Sequence, residues 1–222
     1  MKKTLSTIFA LAVALGTAAV AQAQEVRGDV KAGEGKIAMC IGCHGIAGYQ
    51  SSFPEVYKVP KIAGQNAGYI AAALHGYAKG ERRFPTMHAV SVSLSDQDIA
   101  DISAYYAQMG QADAKALPEA PSREPSTEVA ALLQKGACVS CHGANFAKPI
   151  DPSYPQIAGQ NADYLFVALK AYKTDNNPHI GRSNAIMGGI AKQFTNKELK
   201  ALAGYIGSLD GNIKTVAESR FR

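Results

Sequence analysis

Cys40-Ile41-Gly42-Cys43-His44 and Cys138-Val139-Ser140-Cys141-His142 are two copies of one signature, with matching cysteines 98 positions apart. Two thiols separated by two residues can add to the two vinyl groups of one porphyrin, and the next histidine then reaches the iron as an axial ligand. The two copies use all four cysteines of the chain. We therefore predict two covalent haem c groups, attached through Cys40, Cys43, Cys138 and Cys141, with His44 and His142 as iron ligands.

Two other kinds of site use closely spaced cysteines. A zinc site would need a further pair of cysteines or histidines at ligand spacing. A redox-active pair of thiols would not require a histidine directly after both copies. Haem attachment explains the repeated Cys-x-x-Cys-His spacing better than a zinc site or a redox-active pair of thiols does.

The amino terminus has the pattern of an export signal. Lys2 and Lys3 precede an apolar run from Ile8 to Val20, and Ala21-Gln22-Ala23 follows as a small-x-small cleavage site. The run is shorter than the roughly 18 apolar residues expected of a membrane-spanning helix, which makes an uncleaved anchor the less favoured alternative. We predict a signal peptide over residues 1–23, cleaved after Ala23, and an exported mature protein.

The charge of the chain gives no indication of nucleic-acid binding. Removal of residues 1–23 takes away two lysines and no acid, so the formal net charge falls from +5 to +3. Two propionates on each haem would largely cancel that excess. Because the sequence also has no dense run of lysine or arginine, we expect no nucleic-acid partner.

An internal repeat divides the chain into two domains. Residues 60–67 read Pro-Lys-Ile-Ala-Gly-Gln-Asn-Ala, and residues 155–162 read Pro-Gln-Ile-Ala-Gly-Gln-Asn-Ala. The segment between the halves is rich in alanine, proline and charge and has no apolar periodicity. We predict an N-terminal domain over 24–109, a linker over 110–125, a C-terminal domain over 126–212 and a C-terminal tail over 213–222.

Each half has the apolar spacing of helices. Tyr69, Ile70, Ala73, Leu74 and Tyr77 follow helical periodicity, and Tyr164, Leu165, Ala168, Leu169 and Tyr172 repeat it 95 positions later. A last helix begins at Ser95 in the first half and at Thr195 in the second, each followed three residues later by an acid, as in a capping box. No alternating pattern predicts a sheet. The fold class is therefore predicted as all-α.

The repeat also identifies the second iron ligands. Met87 and Met187 stand 100 positions apart in the predicted loops before the last helices, and each follows an arginine, Arg82 or Arg182, by five residues. Met39 adjoins Cys40 on the histidine side, and Met109 matches Leu209 on a buried stripe. His75, His88 and His179 have no histidine at the corresponding position of the other half. We predict Met87 and Met187 as thioether ligands of the two irons.

Histidine and methionine together fill both axial positions of an iron. No open position then remains for a substrate, and thioether ligation favours the ferrous state, which suits one-electron exchange. The sequence carries no nucleophile triad, zinc signature, phosphate loop or dinucleotide motif. We predict an electron-transfer protein rather than an enzyme. A dihaem peroxidase and a haem-based gas sensor are weaker alternatives.

The doubled haem signature, the repeated Pro-x-Ile-Ala-Gly-Gln-Asn segment and the late methionine resemble bacterial cytochrome c4, over residues 25–210. The resemblance implies two tandem class I cytochrome c domains, each wrapped around one haem, in a periplasmic carrier that is loosely associated with the membrane. It implies redox partners such as a quinol-oxidising complex and a terminal oxidase, and carbonyls of Pro60 and Pro155 that orient His44 and His142. A dihaem electron-accepting subunit of a dehydrogenase, such as a flavocytochrome, resembles this sequence as well.

Overall fold

The structure is a computed structural model that describes residues 26–111 and 113–217. The predicted signal peptide lies outside these residues. The helices are α1 (Val30–Glu34), α2 (Ala38–His44), α3 (Ala67–Ala78), α4 (Pro85–Ser91), α5 (Asp96–Met109), α6 (Thr127–Lys135), α7 (Val139–His142), α8 (Ala162–Ala171), α9 (Ala185–Ala191) and α10 (Asn196–Ser208). The strands are β1 (Gln50–Ser51), β2 (Tyr57–Lys58), β3 (Arg82–Arg83) and β4 (Gly181–Arg182). Among the described residues, no helix is long and apolar enough to cross a membrane.

The two halves have the same order of helices. In each, a helix with the Cys-x-x-Cys-His signature is followed by a tyrosine-bearing helix, a short methionine-bearing helix and a last helix. The last helices begin as predicted, because Ser95 with Asp98 and Thr195 with Glu198 both form complete capping boxes. The segments with Met87 and Met187 differ from the prediction, since they are short helices rather than loops. Pro85 begins α4, and the Asn184 side chain caps α9.

Each half has its own apolar core. The first-half core is formed by buried residues of α2, α3 and α5, and the second-half core by α6, α8, α10 and the Phe146 segment. Ile99 and Leu199 occupy equivalent positions in the last helices and are 2% and 1% exposed. Full burial of such a side chain contributes about 1.5–3 kcal/mol. The last helices therefore pack in equivalent ways against the cores of two similar helical units.

A buried ion pair supports the first half. Asp101 on α5 is 2% exposed and accepts bonds from Lys36 Nζ at 2.6 Å, Asp29 N at 2.7 Å and Gln97 Nε2 at 2.8 Å. The contact between α1 and α5 is so close that a Cβ on Gly33 would lie 2.2 Å from the Asp101 carbonyl oxygen. The second half has Ala201 at the position that corresponds to Asp101.

The mainly helical architecture includes two small antiparallel ladders that the sequence did not predict. Strands β1 and β2 pair within the first half. Strand β3 pairs with β4 of the second half and places Arg82 opposite Arg182. Strands of two residues are too short to show an alternating pattern in a sequence. The β3–β4 ladder joins the two halves at equivalent residues.

The repeated Gln-Asn dipeptide forms the rest of the junction. Gln65 donates from Nε2 to the carbonyl of Gln156 at 2.8 Å and accepts from its amide at 2.9 Å. Gln160 forms the same two bonds with Lys61, at 2.9 and 3.0 Å. The neighbouring asparagines also bond across the junction, from Asn66 to Tyr154 and from Asn161 to Val59. The two halves are therefore joined with approximate twofold symmetry.

The segments predicted as linker and tail have specific contacts. Lys115 and Asn212 exchange two hydrogen bonds of 3.0 Å, and Leu117 packs against the second-half core. Residues 213–217 are the described part of the predicted tail, and they reach the first half. There Lys214 pairs with Ala63, and Val216 packs against the first-half core.

Candidate haem sites

Helix α2 positions the first signature. It carries Cys40, Cys43 and His44 on its last two turns and is anchored by Ile37, which is fully buried. His44 Nδ1 lies 2.9 Å from the carbonyl oxygen of Pro60. A carbonyl oxygen only accepts, so Nδ1 carries the hydrogen and Nε2 remains available to a metal. The orienting contact expected at Pro60 is confirmed.

The second signature has the same histidine contact on a shorter helix. His142 Nδ1 lies 3.1 Å from the carbonyl oxygen of Pro155, which confirms the expected contact. Helix α7 begins only at Val139, after Ala137 has adopted a left-handed φ of 47°. Cys138 packs partly buried against the second-half core. The local backbone of the two signatures thus differs, although their sequences match.

Burial keeps both histidines neutral. It lowers the pKa of His44 and of His142, and the hydrogen bonds to Pro60 and Pro155 oppose this shift without reversing it. A neutral imidazole with one nitrogen protonated is the form that binds iron.

The first thiol of each signature does not have the electrostatics of a redox-active thiol. Burial raises the pKa of Cys40 to about 11, although a hydrogen bond with Tyr106 opposes the shift, and burial also raises the pKa of Cys138. Redox-active Cys-x-x-Cys pairs instead lower the pKa of one thiol. Within the ranges 26–111 and 113–217, no group of three or more His, Cys, Asp and Glu side chains could hold a metal ion. The zinc and redox alternatives thus find no support in the described residues.

One cavity of about 490 Å³ brings most of the predicted site residues together. It is lined by Cys40, Cys43, His44 and Met87 of the first half and by His142 and Met187 of the second. A volume of this size is typical of a cofactor site. In each half the histidine comes from the signature helix and the methionine from the helix before the last, so ligands from two segments border the same space. The donor set of thiols, imidazole and thioether fits haem c.

Of the competing side chains, Met39 also lines this cavity, whereas Met109, His75 and His88 lie elsewhere. Met109 packs against the first-half core, as predicted. His88 is exposed, and its Nδ1 lies 2.8 Å from the carbonyl oxygen of Tyr77. His75 Nδ1 lies 3.8 Å from a carboxylate oxygen of Asp96. Of the described residues, none of these three lines the cavity.

Sequence analysis did not assign a role to the two arginines in the same cavity. The Arg82 guanidinium lies 4.7 Å from the ring centre of Tyr77, and the Arg182 guanidinium lies 5.3 Å from that of Tyr172. Arg182 Nη2 is 3.0 Å from Tyr164 Oη. Each arginine precedes its methionine by five residues, and this repeat was the only indication of them in the sequence. The repeat did not show that Arg82 and Arg182 face each other across the junction of the two halves.

Comparison with known proteins places this architecture in a family. The cytochrome c family model matches residues 30–110 and again residues 126–210. Cytochrome c4 of Pseudomonas aeruginosa is 31% identical over 204 residues, which cover 91% of this chain and 98% of that protein. The crystal structure of reduced recombinant cytochrome c4 from Pseudomonas stutzeri is similar, with a TM-score of 0.55 and 29% identity, over 82% of this chain and 100% of that chain.

A second group of similar proteins consists of a thiosulfate dehydrogenase and electron acceptors of thiosulfate dehydrogenase. The thiosulfate dehydrogenase electron acceptor of Stutzerimonas stutzeri is 29% identical over 77% of this chain and 78% of that protein. Thiosulfate dehydrogenase from Marichromatium purpuratum matches with a TM-score of 0.54 and 27% identity, over 77% of this chain and 36% of that one. The double family match and the full-length relatives agree with the two helical halves described above. The chain therefore belongs to the cytochrome c4 family of dihaem electron-transfer cytochromes, whose tandem cytochrome c domains bind two covalent haem c groups.

Proposed function

We propose that this protein relays single electrons between other redox proteins, with His44 and Met87 as the ligands of one iron and His142 and Met187 as the ligands of the other. Cys40, Cys43, Cys138 and Cys141 would form the thioether bonds. A haem with histidine and methionine ligands supplies one-electron exchange between its ferric and ferrous states. The protein residues fix the ligands, exclude water and set the local charge.

The observation that carries this proposal is the shared geometry of the two histidines. His142 is buried and His44 partly buried, and each is neutral and held through Nδ1 by a proline carbonyl, so its orientation does not change when the charge of a metal at Nε2 changes. A methionine borders the same cavity in each half. Such fixed ligands suit electron transfer, which requires little rearrangement, better than they suit substrate binding at the metal.

The ligand assignment can be tested by spectroscopy. The oxidised protein should show the weak near-infrared sulfur-to-iron band at a strength corresponding to two haems. Met87→Ala and Met187→Ala should each remove about half of it, because each removes one thioether ligand. Met109→Ala is the matched control and should retain the full band. A full band in either of the first two variants would contradict the assignment.

We further propose that the protein acts in the periplasm, in loose association with the membrane, between a quinol-oxidising complex and a terminal oxidase. The export pattern of residues 1–23 and the family support this location. Purified protein should be reduced by membranes supplied with quinol and reoxidised by membranes supplied with oxygen. Reduction without reoxidation would exclude an oxidase as acceptor.

A second candidate is an electron acceptor for a periplasmic dehydrogenase. Similarity to the thiosulfate dehydrogenase electron acceptor, and to a longer thiosulfate dehydrogenase chain, favours it. The two candidates differ in how the protein is assembled. Native purification should give a free protein if it is a mobile carrier, and a stoichiometric complex with a dehydrogenase if it is a fixed subunit.

A further inference from the structure

The junction between the halves contains one pair of equivalent positions that differ in charge. Lys61 and Gln156 stand 95 positions apart in the repeat, and each follows the proline whose carbonyl holds a histidine, Pro60 or Pro155. Both side chains belong to residues that line the cavity with the predicted iron ligands. The chain therefore has a lysine beside one histidine anchor and a neutral glutamine beside the other.

The two side chains form the same contact across the junction. Lys61 Nζ donates to the carbonyl oxygen of Gly159 at 2.6 Å, and Gln156 Nε2 donates to that of Gly64 at 3.0 Å. Gly64 and Gly159 are themselves equivalent in the repeat. A neutral amide is thus sufficient to form this hydrogen bond. The positive charge of Lys61 is not needed to join the halves.

No described carboxylate neutralises the charge of Lys61. Within the described part of the chain, none of the ion pairs includes Lys61, and no aspartate or glutamate lines the cavity. Burial lowers the pKa of Lys61 from its usual value. Because the residue is only partly buried, it keeps its positive charge at neutral pH.

Position 61 lies to one side of the approximate twofold axis. A residue on that axis meets its own counterpart, as Arg82 meets Arg182 in the β3–β4 ladder. The hydrogen bonds of Lys61 to the second half go instead to Gly159 and Gln160. A charge that lies off the axis is at unequal distances from two sites that the axis relates, and so interacts with them unequally. Whichever site lies nearer to position 61, the other lies nearer to position 156 by about the same amount.

We propose that Lys61 sets the two haems of this protein at unequal potentials, by placing a positive charge at only one of two equivalent positions. The inference rests on the haem attachment and ligation proposed above. Oxidation adds a positive charge to an iron, and a nearby cation opposes that step. Lys61 therefore stabilises the ferrous state more at the nearer iron than at the other. In a molecule that holds a single electron, this charge biases which of the two haems is reduced.

Exchange of the two side chains tests this proposal in the holoprotein. The methyl resonances of the two axial methionines, followed by NMR during reduction, measure each iron separately. Lys61→Gln should change the ratio of the two oxidation equilibrium constants about fivefold and lower both potentials. Gln156→Lys should give the same ratio as Lys61→Gln but raise both potentials, because two lysines restore the symmetry. The double exchange Lys61→Gln/Gln156→Lys should change the ratio about fivefold further in the same direction.

Two further variants separate the charge from the shape and from the junction in general. Lys61→Arg keeps the charge and should keep the wild-type ratio. Lys58→Gln removes another lysine that contacts the second half, but Lys58 is paired with Asp163 at 3.6 Å and does not line the cavity. Its ratio should change by less than about twofold, because that charge is already paired and exposed to solvent.

The outcomes that would overturn the proposal are distinct from a failure of ligation. One ratio shared by wild type, Lys61→Gln and the double exchange would overturn it, and so would a change in Lys58→Gln as large as that in Lys61→Gln. If the variants with a lysine at position 156 do not fold, the comparison of wild type with Lys61→Gln and Lys61→Arg decides the outcome by itself. Two haems and a full near-infrared band in each variant show that the ligands are intact, so incorrect ligation is recognised separately.

Discussion

Loss of Gln65 should weaken the junction between the halves by an amount that can be worked from its hydrogen bonds. Gln65 is 3% exposed, and its side chain pairs with the amide and carbonyl of Gln156 and with the amide of Asn66. Gln65→Ala leaves these three backbone groups without this partner. An unsatisfied buried group costs about 1–3 kcal/mol, and water entering the space left by the side chain recovers part of that. We expect a loss of about 3 kcal/mol in the free energy of unfolding.

The repeat supplies an internal check on this value. Gln160 forms the same three bonds, with Lys61 N, Lys61 O and Asn161 N, and is 4% exposed. Gln160→Ala should therefore lose nearly the same free energy. Guanidinium unfolding of the holoprotein, followed by haem absorbance, measures both. Gln193→Ala removes an exposed glutamine and should stay within about 0.5 kcal/mol of wild type. If Gln65→Ala behaved like the Gln193 control, the reasoning from the junction would be refuted.

Three further outcomes are expected. Asp101→Asn should lower the free energy of unfolding by about 3 kcal/mol at pH 7. The hydrogen bond from Lys36 lowers the pKa of Asp101, so the stability that the Asp101 carboxylate contributes is present above the unfolded pKa of about 3.9 and is lost as pH falls through the pKa of the folded protein. The difference in unfolding free energy between wild type and Asp101→Asn should therefore be smaller at pH 3 than at pH 7. A redox titration should need two one-electron components, because the approaches to Met87 and Met187 differ; a single two-electron component would contradict two inequivalent sites. Carbon monoxide should bind the reduced protein slowly or not at all, and rapid stoichiometric binding in a flow experiment would indicate an open iron position.

Much of the site could be predicted because its chemistry is local in sequence. The Cys-x-x-Cys-His signature places two thiols and an imidazole within five residues, whatever surrounds it. The internal repeat then selected Met87 and Met187 from the methionines, because only these two correspond in both halves. The structure brings both to the cavity that also contains His44 and His142. Their ligation remains a prediction that the near-infrared measurement tests.

The contacts between the halves could not be predicted in this way. The repeated Gln-Asn dipeptide is visible in the sequence, but Gln65 bonds to backbone groups of a residue 91 positions away. Backbone groups carry no sequence signal, so their partners emerge only when the chain is folded. The two-residue strands β3 and β4 were missed for the same reason, because pairing across the junction rather than a local pattern creates them.

By itself, the sequence determined the helical class, the division into two halves, the haem signatures and the starts of the last helix in each half. These features depend on covalent chemistry, 3.6-residue periodicity and capping, each of which acts within a few residues. Only the tertiary structure decided that the two halves share one cavity, that residues 213–217 reach back to the first half, and that Arg82 meets Arg182. These features depend on which distant surfaces pack and on where charge is buried. Burial and electrostatics are properties of the assembled chain, and no short segment contains them.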